Sequence, residues 1–211
     1  MKHGRVFKEF GVTMFTGKQG GGKSIALTEY CLRMKRKYPK VKILTNYGYD
    51  QQDQEINDWF DLMSVRNGLD GVIFAIDEIQ NEFDNSKWKD FPPWLLKEIT
   101  QQRKQRVKIV TTSQVFTRVV KQIREQSYDV GECRTLMGRW TFVRIFDGEE
   151  YNDWIDGGRD PDKKRKMVRK KRYSFIQTDE LRKVFESYDK IQTLAEKKEK
   201  FDNWKEKEIA N

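Results

Sequence analysis

The stretch GVTMFTGKQGGGKSIALTEY, residues 11 to 30, decides the fold. An apolar run, GVTMF, ends in a cluster of glycines and lysines, and an amphipathic segment follows at once. Gly17, Gly22, Lys23 and Ser24 fit the spacing G-x-x-x-x-G-K-[ST]. Side chains are sparse there because backbone N–H groups must turn inward around a phosphate, and a Cβ at the glycines would block that turn. Lys23 is placed to reach the β- and γ-phosphates, and the Ser24 hydroxyl to hold Mg²⁺. The whole loop, Gly17, Lys18, Gln19, Gly20, Gly21, Gly22, Lys23 and Ser24, is the expected nucleotide cradle, with ATP and Mg²⁺ as cofactors. Strand, loop and helix in that order are the context this mechanism requires, whereas a glycine-rich surface turn requires neither neighbour.

Outward from the loop, three further runs read as strands: VKILTN (41 to 46), GVIFAID (71 to 77) and VKIVTTSQ (107 to 114). They alternate with helical patterns at 24 to 38, 56 to 64, 92 to 106 and 117 to 126. Near-continuous apolar strands separated by helices imply a mostly parallel sheet flanked by helices, an α/β fold. VGECRTL and RWTFVRIFD read as a final strand pair joined around Met137 and Gly138. The expected organisation is a nucleotide-binding domain over 1 to 150, a basic linker over 151 to 175, and a helical C-terminal extension over 176 to 211.

The third strand ends in Asp77 and Glu78. Two adjacent carboxylates after a buried strand are costly unless they engage cations or water. Asp77 is expected to share Mg²⁺ with Ser24, and Glu78 to orient and polarise the attacking water. The alternative for Glu78 is a cap on the following helix. The run Thr111, Thr112, Ser113 and Gln114 closes the last of these strands. If that strand lies between the first and the third, Gln114 sits beside the γ-phosphate and can sense it. No guanine-reading NKxD sequence and no H-R-D or D-F-G element occurs, so GTPase and protein-kinase chemistry are unsupported. A small-molecule kinase and a non-hydrolysing binding module remain the competing classes.

Composition bounds the rest. The chain has 211 residues, 36% apolar and 36% charged, and a formal net charge of +9, which points to a polyanionic partner such as DNA. KKRKMVRKKR (163 to 172) carries eight cations in ten positions. Lys163, Lys164, Arg165, Lys166, Arg169, Lys170, Lys171 and Arg172 are therefore candidate phosphate contacts, with a solvated linker as the alternative. Cys31 and Cys133 form no CxxC pair, and with a single histidine no disulfide framework or zinc site is indicated. No apolar run approaches the roughly 18 residues of a membrane span. The expected setting is the cytoplasm of a host cell, peripheral to a capsid or membrane complex.

Taken together, GxxxxGKS, the apolar strand followed by DE, the strand ending in TSQ and an IRE segment (123 to 125) resemble the FtsK/HerA superfamily of ring-forming P-loop NTPases, with a RecA/ASCE-like core. Within it, the TGKxGxGKS loop, the TN dipeptide Thr45-Asn46 and IDE are similar to the Zot-type ATPases of phages. The resemblance covers roughly 9 to 147, with YDK at 188 to 190 as a further match. It implies a homo-oligomeric ring that moves double-stranded DNA, either packaging or transferring a genome, with ATP bound between subunits. A portal, capsid or membrane partner would dock it. It also implies an arginine acting on a neighbour's nucleotide; Arg103, then Arg106 and Arg124, are the candidates, each with a surface ion pair as its alternative. Filamentous-phage members of the type continue into a membrane-spanning segment that this sequence lacks, so a separate membrane partner is expected for any export role. Lys18 occupies the position of the signature lysine of MinD-like ATPases, which crosses to the partner's nucleotide; charge near its own phosphates, or exposure to solvent, is the alternative.

Overall fold

A computed structural model of the chain describes residues 6–57, 60–81 and 93–184. Its strands are β1 (Gly11–Thr16), β2 (Lys42–Thr45), β3 (Gln54–Glu55), β4 (Val72–Ile76), β5 (Val107–Ser113), β6 (Ser127–Leu136), β7 (Trp140–Asp147) and β8 (Arg169–Ile176). The helices are α1 (Lys23–Lys37), α2 (Asp61–Ser64), α3 (Pro93–Thr100), α4 (Gln102–Gln105), α5 (Lys121–Glu125), α6 (Gly148–Asp156), α7 (Pro161–Lys166) and α8 (Asp179–Val184). All eight strands join one sheet in the order β3-β2-β4-β5-β1-β6-β7-β8. The run from β3 to β6 is parallel, and β7 and β8 extend it as antiparallel neighbours.

The central strands form because their residues are buried on both faces: every residue of β4 and β5 is buried. One face packs Phe15, Ile43, Ile73 and Val110 beneath α1, which turns Ala26, Leu27, Cys31 and Met34 toward them. The other packs Met14, Leu44, Phe74 and Ile109 against Leu62, Ile99, Ile123 and Tyr151 of the opposite helices. Basic residues Lys35, Arg36 and Lys37 close α1 where its dipole favours cations. The 107–114 strand does lie between the first and third strands, the condition set for Gln114 to stand at the nucleotide end, with β5 paired to β1 on one side and β4 on the other.

Two expectations need correction. The segment 151 to 175 is not a linker: it completes α6, forms α7 and enters β8, which pairs with β7 from Trp140↔Ile176 onward. Tyr173 and Phe175 supply the apolar face that docks this strand. The polar stretch between β2 and α2 contributes the short parallel strand β3. The helix expected over 92 to 106 breaks at Gln101, after Thr100 turns its Oγ1 back onto the Lys97 carbonyl at 2.7 Å. The extension beyond Val184, including 188 to 190, lies outside the described residues, as do residues 58 and 59 within the expected second helix.

Candidate active site

The phosphate loop runs from the end of β1 into α1. Gly20 and Gly22 take left-handed backbone, φ 71° and 84°, which other residues adopt only at a cost. Gly22 is also the N-cap of α1, has no capping side chain, and is followed by no acid in the first turn. The first N–H groups of a 15-residue helix therefore face the loop without a side-chain acceptor, the arrangement that receives a phosphate. The loop rests on the β6–β7 hairpin. A Cβ at Gly17 would stand 2.6 Å from the Cys133 carbonyl, and one at Gly22 would stand 2.4 Å from Thr135 Oγ1 and 2.9 Å from Thr141 Oγ1.

Lys23 folds back over the loop, its Nζ donating to the Lys18 carbonyl at 3.0 Å. Burial lowers its pKa while the neighbouring Cys133, Asp77 and Glu78 pull it back up. Gly21 N–H donates to the same carbonyl at 2.9 Å. Lys18, Gln19 and Gly20 are exposed, so Lys18 can meet a phosphate of its own loop or of a neighbouring molecule.

Beside the loop, the three polar strand ends are tied into one network. Ser24 Oγ donates to Asp77 Oδ1 at 2.8 Å, and Thr112 Oγ1 donates to the same oxygen at 2.6 Å. Glu78 N–H donates to Thr112 Oγ1 at 2.8 Å. The Glu78 carboxylate is held at both oxygens, by Gln114 Nε2 at 3.1 Å and by Asn81 Nδ2 at 3.0 Å. Its backbone sits at φ 54°, a conformation a non-glycine residue keeps only where its surroundings hold it there. Among the described residues the carboxylate takes side-chain donors and no helix N–H group, which argues against the capping alternative. Asn46 fixes the Asp77 backbone from the next strand, accepting from its N–H at 2.7 Å and donating to its carbonyl at 3.1 Å.

Ser24 and Asp77 fit the expected Mg²⁺. A hydroxyl and a carboxylate already converge within 2.8 Å at the mouth of the phosphate loop, and Mg²⁺ characteristically uses one or two protein oxygens alongside phosphates and water.

The fold brings Ser24, Asp77, Glu78 and Gln114 together, and two further residues that the motifs do not single out support them. Thr112 links Asp77 to Glu78, and the signal for it was the row of hydroxyls at the end of a buried strand. Asn46 carries no signal of its own beyond the Thr45-Asn46 dipeptide.

The arginine candidates separate. Arg124 is buried, lies over the Phe116 ring at 5.6 Å and is 3.5 Å from Asp156 of its own chain; its carbonyl accepts from Asn152 at 2.7 Å. This corrects its assignment as an arginine reaching into a neighbour, because it is spent inside the α5–α6 contact. Arg106 stands at the start of β5, where its carbonyl accepts from Val72 N–H at 3.0 Å. Arg103 lies on α4, and its side chain is outside the described set.

The basic segment is also divided. Lys164 is engaged by Glu132 and lies 4.2 Å from the Trp154 ring centre. Lys170 bridges Asp129 at 3.2 Å and Asp147 at 2.8 Å. These two cations therefore pin α7 and β8 to the sheet. Lys163, Lys166, Arg169, Lys171 and Arg172 are exposed and carry no ion pair among the described residues, and exposed Arg165 is 3.3 Å from Asp162.

A mixed eight-stranded sheet, flanked by helices and carrying this loop at the end of its first strand, is the fold of the P-loop NTPases. The chain belongs to the zonular occludens toxin (Zot) family, whose model matches residues 31–147. Among solved structures it is similar to the N-terminal domain of zonular occludens toxin from Neisseria meningitidis, at 13% identity and TM-score 0.58, covering 83% of this chain and 98% of that one. It is also similar to the genome packaging NTPase B204 from Sulfolobus turreted icosahedral virus 2 in complex with AMPPCP, at 11% identity and TM-score 0.52, covering 66% and 92%. No curated protein sequence matches it. Among the described residues no helix is long and apolar enough to cross a membrane.

Proposed function

We propose that this chain is the ATP-hydrolysing motor of a phage or mobile element, moving DNA during genome packaging or transfer, with ATP held at the subunit interfaces of a ring. The observation that carries the reading is the continuous network Ser24–Asp77–Thr112–Glu78–Gln114 beside an open phosphate loop.

Phosphate binding displaces the Lys18 carbonyl as the partner of Lys23, which then turns its ammonium to the β- and γ-phosphates while loop N–H groups and the α1 terminus take the remaining oxygens. Ser24 and Asp77 would hold Mg²⁺, which supplies neutralisation of the charge developing on the phosphates. Glu78 orients a water for in-line attack and receives its proton. Gln114, now bound to Glu78, is placed to exchange that partner for the γ-phosphate and so report whether it is present. The description of the similar B204 protein as a genome packaging NTPase supports the DNA-moving form of the reading. Membership of the Zot family favours a second form, an assembly or export ATPase working with a separate membrane partner.

The test is hydrolysis by wild type and Glu78→Gln, with and without DNA, at two salt concentrations. Glu78→Gln should bind ATP as wild type does and turn it over ~10²- to 10⁴-fold more slowly. DNA should stimulate the wild type, and added salt should remove the stimulation. Unchanged hydrolysis in Glu78→Gln would overturn the catalytic assignment.

A further inference from the structure

The hairpin behind the phosphate loop carries a second feature on its opposite face. Directly opposed residues of an antiparallel pair project to the same side, so the registers Leu136↔Trp140↔Ile176, Arg134↔Phe142 and Arg144↔Arg172 place their side chains on one surface. Glu132 shares that surface and is taken by Tyr151 Oη and Lys164, which marks where α6 and α7 cover its lower half. The upper half is open: Trp140 is 46% exposed and Ile176 64%, and Arg134, Arg144 and Arg172 are exposed. Trp140 and Phe142 lie side by side, with ring centres 4.6 Å apart.

Two physical tensions meet on this surface. Arg144 and Arg172 face each other across β7 and β8, and like charges directly opposed are destabilising unless an anion lies between them. Glu132 stands opposite Arg144 on β6 but is taken by Tyr151 and Lys164, and among the described residues neither arginine forms an ion pair. Two neighbouring aromatic rings, one of them a half-exposed tryptophan, offer flat apolar area that water solvates poorly. A ligand that relieves both supplies phosphates to the arginines and planar rings to the aromatics. Duplex DNA offers its phosphates but keeps its base faces stacked inside, whereas a single strand presents both.

We infer that the open face of β6, β7 and β8 binds single-stranded DNA, with Trp140 and Phe142 stacking on bases and Arg134, Arg144 and Arg172 on the backbone. The inference rests on the DNA-moving reading above and gives it a strand type and a site, in place of the duplex that the family resemblance implied. It also places the DNA one strand thickness from the nucleotide. The reverse side of the same hairpin meets the loop through Cys133, Thr135 and Thr141, so a tilt of the hairpin under DNA would be felt at Gly17 and Gly22.

Fluorescence anisotropy of a labelled oligothymidine, titrated with the full chain in the absence of nucleotide, tests it. Trp140→Ala should weaken binding ~5- to 150-fold, the range for loss of one stacking platform. Trp140→Tyr should restore most of that loss, which a merely structural role for the indole would not predict. Arg144→Gln with Arg172→Gln should flatten the salt dependence by about 1.4 in log–log slope, roughly 0.7 for each phosphate contact. A duplex of the same length should compete poorly. The inference is overturned if Trp140→Ala binds within twofold of wild type, if duplex competes as well as the single strand, or if the variants change only the assembly state in sedimentation. The last result would make this face a contact between copies. The anisotropy is read without nucleotide and the Glu78→Gln hydrolysis without DNA, so failure of the platform and failure of the Glu78 assignment are distinguished.

Discussion

Gly22 does two things that no other residue type does at once. Its φ of 84° turns the chain into α1, and its bare α-carbon lies against Thr135 and Thr141. Gly22→Ala adds a methyl group 2.4 Å from Thr135 Oγ1, so the hairpin or the loop must move. The variant should lose about 1–3 kcal/mol in denaturant unfolding and bind a fluorescent ATP analogue far more weakly. Lys108 is a different kind of residue, a cation within the core. Its Nζ donates to the Phe10 carbonyl at 2.9 Å and to Thr13 Oγ1 at 2.7 Å. Burial pushes its pKa down to about 8, assisted by Lys170 and opposed by Asp129 and Glu9. Below pH 8 the folded state bears the full cost of the buried charge. As pH rises from 8 toward the unfolded value of 10.5, the folded protein holds fewer protons than the unfolded chain, and the cost is lifted. Wild type should therefore gain on Lys108→Met between pH 8 and 10, by at most about 1.4 kcal/mol per pH unit, measured by urea unfolding of both proteins at each pH. The comparison removes the opposite trend of Cys31 and Cys133, whose thiols burial pushes up to about 12.

Elements were legible in proportion to how uniformly they are buried. The strands β1, β2, β4 and β5 read directly because parallel strands covered on both faces are written as apolar runs, and α1 read directly from its apolar spacing and basic end. β8 did not, because a strand at the sheet edge can carry cations on every solvated position. In RKKRYSFI only Tyr173 and Phe175 pack against the core, too short an alternation to outweigh four leading cations. The site was legible where chemistry demanded a residue type, as at Lys23, Asp77 and Glu78. It was illegible where a contact depended on topology, as for the hairpin behind the loop or the burial of Arg124. The junction of β7 and α6 gives an element-scale prediction. Asp147 caps α6, accepting from Glu149 N–H at 3.0 Å and Glu150 N–H at 3.3 Å, and holds Lys170 of β8 at 2.8 Å. Asp147→Ala should cost about 1–2 kcal/mol. The hydrogen bond from Lys170 lowers the Asp147 pKa against the opposing effect of burial, with the Glu150 and Glu149 N–H groups adding to the lowering. The contribution is therefore fully present above the ordinary carboxylate range and is lost as pH falls through the lowered value. An urea midpoint difference that shrinks only in acid would show this.

At the scale of the whole molecule, the sheet keeps two kinds of chemistry apart. The phosphate loop follows the end of β1, whereas Arg106 precedes the start of the parallel neighbour β5, and the seven residues of β5 separate the two ends by about 20 Å. An arginine at that far end does not reach the nucleotide of its own subunit, so any role in hydrolysis is exercised on a neighbour. Arg124 is removed from this role by its burial against α6, which leaves Arg103 and Arg106. Mixing distinguishes action within a subunit from action between subunits. A Glu78→Gln subunit has a dead site and intact arginines; an Arg103→Ala or Arg106→Ala subunit has an intact site and lacks one arginine. If the missing arginine acts on the neighbour, each variant alone should be inactive, and equal mixing should recover about a quarter of wild-type hydrolysis, the share of interfaces that pair an intact Glu78 with an intact arginine. If it acts within its own chain, mixing should recover nothing. Wild-type turnover per subunit should also fall on dilution in the first case, because the complete site then exists only where two copies meet.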